Sequence, residues 1–250
     1  MTHRLSVVLQ TPAHSAVAGP LTYQSELPLT AGTLVRVPFG TREVLGVVWD
    51  SLEAASPDRP QAEIRTIAAV LEGVAPLSVA WRQLVQFAAG YYQRSPGEVA
   101  LAALPPQLRD LSATQLARRL KRAPAVVPVD TAVSPGLIAL SEEQIRAIGR
   151  FDAETGPFLL FGATGSGKTE VYLRCVQTLL EHDATAQALV MVPEINLTPQ
   201  LEARFRERFA GRHGAAAVVS LHSGMTNPQR LKSWLAAHSG VARIVLGTRM

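Results

Sequence analysis

The stretch GATGSGKT, residues 162–169, combines three glycines with a lysine and a threonine at a spacing suited to gripping phosphate. Gly162, Ala163, Thr164, Gly165, Ser166 and Gly167 form a loop in which glycine lets successive backbone N–H groups turn inward around an anion. Lys168 supplies an ammonium that reaches β- and γ-phosphates, and Thr169 a hydroxyl suited to Mg²⁺. Lysine is scarce here, three among 24 basic residues, so composition alone does not put one at this place. The plainer alternative, a glycine-rich turn that caps an ordinary helix, leaves that lysine unexplained. A second constellation lies upstream. Ser141-Glu142-Glu143-Gln144 reads as a capping box, with Ser141 as N-cap and Gln144 three residues into the helix. A glutamine placed ahead of such a loop, as Gln144 is, is also able to read an adenine edge with its paired donor and acceptor. The two readings compete for one amide.

A phosphate loop needs a strand before it and a helix after it. From Ser141 onward the sequence alternates accordingly. Helix SEEQIRAIGRF is followed by strand FLLF (158–161), the loop, and helix TEVYLRCVQTLLE. Strand ALVMVP (188–193), helix LTPQLEARFRERF (197–209), strand AAVVSL (216–221), helix PQRLKSWLAAH and strand ARIVLGT complete the series. Apolar strands separated by helices predict a parallel sheet with helices on both faces and ligands at the carboxyl ends of the strands. Residues 1–75 read differently. LSVVL (5–9), LVRVPFG (34–40) and EVLGVVWD (43–50), with LTYQ (21–24) and EIRTIAAVL (63–71), are short β runs punctuated by Gly and Pro. In SVAWRQLVQFAAGYYQ (78–93) the period changes, and Val79, Leu84, Phe87 and Tyr91 predict the apolar side of a helix. A small barrel or sandwich closed by helices is expected. Between 105 and 140 five prolines predict a linker, in which only LSATQLARRLKR has the makings of a helix.

The 250 residues allow two domains, and 47% apolar with 18% charged residues describes a globular chain. No apolar run reaches the ~18 residues of a bilayer span, so no membrane partner is expected and cytoplasm is the default compartment. The single cysteine, Cys175, excludes a disulfide framework and a cysteine cluster for zinc. Charge is unevenly spread. Residues 1–104 carry seven basic and eight acidic side chains, and residues 105–140 five and two, including RRLKR at 118–122. Such a run attracts phosphates, although charge runs more often simply face water. Asn196 and Asn227, the only asparagines, lack the setting of a guanine reader, and no LSGGQ occurs.

GATGSGKTEVYL, LVMVPEINLTPQ, LHSGM and IVLGTR, in this order, resemble the start of the motor of the primosomal protein N′ (PriA) family, superfamily-two 3′-to-5′ DNA helicases of replication restart. LVRVPFGTREVLGVV is similar to that family's 3′-DNA-end-binding domain. The resemblance implies a mostly-β DNA-binding domain at 1–104, a proline-rich basic linker at 105–140, and a partial RecA-like ATP-binding domain at 141–250. It implies ATP and Mg²⁺ as ligands of the loop. Forked DNA, 3′ ends and single strands are the implied partners, with primosome and replicative-helicase-loading proteins. Gln144 becomes an adenine reader on this footing. PEINLTPQ (193–200) matches the family's motif Ia, with Thr198 on a translocating strand, and GTR (247–249) matches motif Ib, with Thr248 and Arg249 on the same strand. Each also has a plain reading, as a helix start and a strand-end turn respectively. In the end-binding domain the matching positions are Leu21, Thr22, Gly40 and Arg65.

Three departures accompany the likeness. Leu21 and Thr22 stand where the family has an aromatic and an acidic residue. The linker at 105–140 leaves no room for the family's winged-helix domain. The chain stops before an Asp-Glu pair, a second motor domain, an arginine finger and the family's cysteine-ligated zinc sites. The expectation is therefore a truncated form that binds ATP and DNA without turnover. Alternatives are a non-enzymatic fork-binding module and an unrelated P-loop kinase or GTPase.

Overall fold

The computed structural model describes residues 2–11, 19–52, 64–121, 138–163, 165–193 and 198–248. They fall into two compact units, one built on residues 1–123 and the other on 124–250 apart from the short stretch 227–231.

The first unit is an antiparallel sheet of β1 (His3–Leu9), β2 (Leu21–Ser25), β3 (Leu34–Phe39), β4 (Arg42–Leu52) and β5 (Ala69–Val70) in the order β2-β1-β4-β3-β5. Alternation sorts its side chains to two faces. Leu5, Val7, Leu9, Tyr23, Val35, Val37 and Val48 form one buried cluster. Val8, Leu45 and Val47, on the other face, are equally buried. Over the sheet lie α1 (Val79–Tyr91), α2 (Pro96–Ala102), α3 (Pro106–Asp110) and α4 (Ala113–Lys121). In the β1–β4 ladder Ser6 pairs with Asp50 and Val7 with Val48, which leaves Trp49 as a bulge. The carbonyl of Trp49 accepts from Arg82 Nη1 at 2.9 Å, which ties α1 to the sheet.

Two expectations change in this unit. The helix predicted over 78–93 forms, but Val79, Leu84, Phe87 and Tyr91 are its exposed side, and Val85 and Ala89 are the buried ones. Smaller residues at a spacing of four allow close approach to the sheet, and the larger apolar residues are left outside. Residues 106–121, expected within a linker whose helix candidate was LSATQLARRLKR, form that helix as α4 and a further one, α3, with Leu108, Leu111 and Leu116 buried. Their anchor is Arg36, a buried guanidinium on β3. It donates to the carbonyls of Arg109 at 2.6 Å, Leu108 at 3.1 Å and Leu111, the groups a helix C-terminus leaves unbonded. Burial lowers the Arg36 pKa, and Asp110 and Glu43 act against that.

In the second unit β6 (Ala188–Val192), β7 (Val218–Leu221) and β8 (Ile244–Thr248) form a parallel sheet in the order β6-β8-β7. Its core joins Leu173, Val176 and Leu180 of α6 (Lys168–His182), Phe205 and Phe209 of α7 (Thr198–His213), and Ala188, Val218, Ile244 and Leu246 of the strands. Helices α5 (Glu142–Ala153) and α8 (Asn227–His238) complete the series. The strand expected at 158–161 is not formed. Phe158 packs on Phe151 of α5, with ring centroids 4.8 Å apart, while Leu159 and Phe161 are 90% and 93% exposed. An apolar run carries no period that proves a strand, and no ladder of the described sheet reaches these residues.

Candidate nucleotide and DNA-binding sites

The described residues of 162–169 lead directly into α6 (Lys168–His182), with no strand before them. Gly165 and Gly167 hold φ +83° and +80°, values that L side chains rarely adopt. Gly167 is the N-cap of α6, so the first-turn N–H groups of the helix face the loop together with its positive dipole end. Lys168 Nζ donates to the carbonyls of Gly162 at 2.6 Å and Ala163 at 2.7 Å, so the ammonium sits across the loop. A Cβ on Gly162 would stand 2.7 Å from Ser166 Oγ, a hydroxyl free to rotate away. Thr169 is half-buried in the first turn of α6. Thr164 lies outside the described residues.

Of the two readings that its sequence left open, Gln144 makes the capping box. Its Oε1 accepts from Ser141 N at 2.8 Å and its backbone N–H donates to Ser141 Oγ at 3.3 Å, a complete capping box. Its Nε2 donates to the Gly167 carbonyl at 3.1 Å. The amide thus fastens the start of α5 to the phosphate loop. These two bonds use one lone pair of Oε1 and one N–H of Nε2, and leave one of each uncommitted.

Glu170, next to Thr169, was not singled out by the sequence. Its Oε1 accepts from Arg174 Nε at 2.9 Å and from Arg208 Nη2 of α7 at 2.8 Å, and all three side chains are largely buried. Arg174 Nη2 also donates to the Ile138 carbonyl at 3.0 Å. These contacts bind the loop helix to the helix that begins at Thr198. Only the four-residue spacing of Glu170 and Arg174 was readable; Arg208 joins them through the fold.

At the carboxyl ends of the strands the polar residues differ in access. Thr198 opens α7, its side chain outside the described set, and Arg249 lies beyond it as well. Thr248 is 5% exposed, and its hydroxyl is buried without a partner among the described residues. The structure therefore does not present Thr248 to a strand of DNA. Its Cα partner across the ladder is Val192, on the strand that leads to the PEINLTPQ stretch. Nearby, Ser220 Oγ donates to Glu202 Oε2, and Arg206 Nε to Glu202 Oε1 at 2.7 Å. Burial pushes the Glu202 carboxyl up, but the Ser220 hydroxyl and the Arg206 guanidinium outweigh it and hold the pKa below its ordinary value.

In the first unit the four positions expected to meet a 3′ end come together. Leu21, Thr22, Gly40 and Arg65, with Tyr23, Pro38 and Phe39, line one cavity of about 330 Å³. The β3–β4 hairpin builds one wall. Phe39 pairs with Arg42, and Gly40 opens the two-residue turn at φ +62°, with nothing within 4 Å of a built Cβ. Arg65 Nη1 donates to the Gly40 carbonyl at 3.3 Å, and Gln24 N to the Arg65 carbonyl at 3.0 Å, so β2 and the segment before β5 close the other side. Tyr23 is core, its hydroxyl donating to the Pro38 carbonyl at 3.0 Å. Phe39, half-buried, also lines the cavity. Pro38 went unnoticed in the sequence, since only the register of the hairpin brings it to this wall.

Residues 6–105 match the family model described as a 3′DNA-binding domain, and residues 141–250 match that of the DEAD/DEAH box helicases. The chain is similar to the replication restart protein PriA of Haemophilus influenzae, 30% identical over 294 aligned positions that cover 90% of this chain and 39% of that protein. It is similar to PriA of Rickettsia typhi, 29% identical over 232 positions, 92% of this chain and 32% of that protein. With PriA of Bacillus subtilis it shares 41% identity over 92 positions, 37% of this chain and 11% of that protein. The Haemophilus alignment is longer than the 250-residue chain, so residues of that relative stand opposite gaps here; the Rickettsia alignment is not. The chain spans a third to two fifths of the length of these first two relatives. It belongs to the PriA family of replication restart proteins.

Proposed function

We propose that the chain serves an ATP-driven 3′-to-5′ DNA helicase of replication restart, with a 3′-end pocket in its first unit and an ATP·Mg²⁺ cradle in its second. One observation carries this reading. Four positions widely separated in sequence, Leu21, Thr22, Gly40 and Arg65, line a single cavity in the segment matched to a 3′DNA-binding domain. At about 330 Å³ it is in the range of small-ligand pockets. Gly40 lets a terminal sugar approach the backbone, Arg65 serves a phosphate, and Phe39 offers the apolar surface that Leu21 does not stack. Thr22, exposed at the rim, supplies a hydroxyl where a carboxylate would bind a terminal 3′ hydroxyl more firmly.

In the second unit the loop glycines and first-turn amides of α6 hold the phosphates, Lys168 moves from its own loop carbonyls to the γ-phosphate, and Thr169 holds the metal. Gln144 reads adenine with the N–H and the lone pair that its two bonds leave over. ATP with Mg²⁺ supplies the free energy of translocation; the chain's residues bind and orient it. Thr198, Thr248 and Arg249 hold the strand, Thr248 only after the carboxyl end of β8 opens. Partners in this role are forked DNA and the proteins that load the replicative helicase.

The test is a fork whose 3′ end carries either a hydroxyl or a phosphate. Tighter binding to the hydroxyl fork, reduced by Gly40→Val, is expected; equal affinity for the two forks rejects the pocket. Lys168→Ala should abolish fluorescent-ATP binding while leaving the circular dichroism spectrum unchanged, and retained affinity rejects the cradle.

A further inference from the structure

Helices α3 and α4 lie between the two matched family segments, in neither of them. They nonetheless belong to the core of the first unit. Leu108, Leu111 and Leu116 are buried, and the Leu120 side chain comes within 2.7 Å of a Cβ built on Gly73. The remaining surface of α4 is one of charge. Arg118, Arg119 and Lys121 are exposed, and α4 has no acidic residue along its length. Among the described residues, none of the three forms an ion pair; Arg119 Nη1 donates to Gln107 Oε1 at 2.9 Å, which holds it on the outer side. Cations in a last turn offset the helix dipole, which accounts for one or two of them and not for the complete absence of carboxylates.

The charge balance sharpens this. Residues 1–104 have seven basic and eight acidic side chains, so the net positive charge of the first unit comes from the segment that follows. We propose that the exposed face of α4, through Arg118, Arg119 and Lys121, is a binding site for the phosphate backbone of duplex DNA. Single-strand sites interleave cations with aromatic side chains on which bases stack; α3 and α4 contain no aromatic residue at all. A ridge of cations alone attracts a backbone without reading sequence. Its anchor is close to the candidate 3′-end pocket. Arg36, which holds the end of α3, precedes Gly40 by four residues of strand and turn, about 13 Å at 3.3 Å per residue, or about four base-pair steps.

The experiment is a fluorescence-anisotropy titration of the 250-residue chain with a forked duplex and with a single strand, between about 50 and 200 mM salt. Three lost phosphate contacts lower the slope of log K against log[salt] by about 2.7. The triple variant Arg118→Ala/Arg119→Ala/Lys121→Ala should therefore shed about 40-fold of the wild-type affinity loss over that range. Arg118→Lys/Arg119→Lys should keep the wild-type slope, because a phosphate reads charge. An unchanged slope in the triple variant overturns the proposal, and an equal drop on the single strand overturns the duplex assignment. Thermal melting shows that the triple variant is folded, and if it is not, reversing Arg118 alone to Glu serves in its place. Blocking the 3′ hydroxyl separates this site from the pocket: a block without effect removes the pocket and leaves the ridge standing.

Discussion

Gly167→Ala tests whether the phosphate loop and the start of α5 are one mechanical piece. An L residue at φ +80° costs about 1–2 kcal/mol of backbone strain. The new Cβ would overlap Gln144 Nε2, so the amide must swing away. That movement breaks the bond to the Gly167 carbonyl, about 1 kcal/mol. It also loosens the bond from Ser141 N to Gln144 Oε1, roughly 0.5 kcal/mol as half of a capping box. The sum is about 3 kcal/mol, half of it strain and half lost contact. In a Gln144→Ala background only strain is left, so Gly167→Ala should cost about 1.5 kcal/mol there, with a coupling near 1.5 kcal/mol between the two sites. Hydrogen-exchange protection of α6 peptides reads the second unit alone and gives each corner of the cycle. Effects that add to within about 0.5 kcal/mol, as independent sites do, would refute the strut. The overlap would then be relieved by a free side chain.

Other consequences are simpler to measure. Arg36→Met removes three bonds to helix-end carbonyls and strands those acceptors inside the unit. A loss of about 3 kcal/mol in urea unfolding is expected after relief of the guanidinium's own burial, and a loss below about 1 kcal/mol would show α3 held by its leucines alone. Thr248→Val exchanges a hydroxyl without an acceptor for a methyl group, so stability should hold or rise by up to about 1 kcal/mol; a clear loss means the hydroxyl is paired. Glu202 has a folded pKa below its unfolded one, so its stabilisation is full above the unfolded value and fades as pH falls through the folded value. Glu202→Gln should flatten the acid limb of the stability curve of the second unit, and an unaltered limb would argue against the Ser220 and Arg206 contacts.

Much of this architecture was legible from the chain itself, for reasons that also mark where reading fails. The β1, β3 and β4 runs are short, rich in Val and Leu and punctuated by Gly and Pro, and Ser141 with Gln144 marked the α5 boundary. The GATGSGKT loop was singled out by its spacing. Helix α1 shows the limit of periodicity, because its sequence holds two apolar stripes. The larger one, Val79, Leu84, Phe87 and Tyr91, is outside. Helix α2 carried a usable signal that was passed over: Ser95-Pro96 followed by Glu98, whose N–H is capped by Ser95 Oγ at 3.2 Å. In 105–121 proline density concealed buried leucines, since Pro105 and Pro106 begin a helix here rather than prevent one. FLLF misled in the opposite sense. Of the site residues, Gly40 and Arg65 were placed by family likeness. Glu170 and Arg208 required a contact between helices, 38 residues apart in sequence.

The order β6-β8-β7 has a bearing on how the second unit is made. Neither of the first two strands to leave a ribosome touches the other; both hang on β8, which starts only at Ile244 whereas β6 starts at Ala188. At about 5–20 residues per second that interval is roughly 3–11 s, during which β6 and its apolar side chains have no ladder to join. Nascent chains arrested just before Ile244 should thus be open to protease throughout this unit, whereas those released past Thr248 should close abruptly, as an arch does when its keystone drops in.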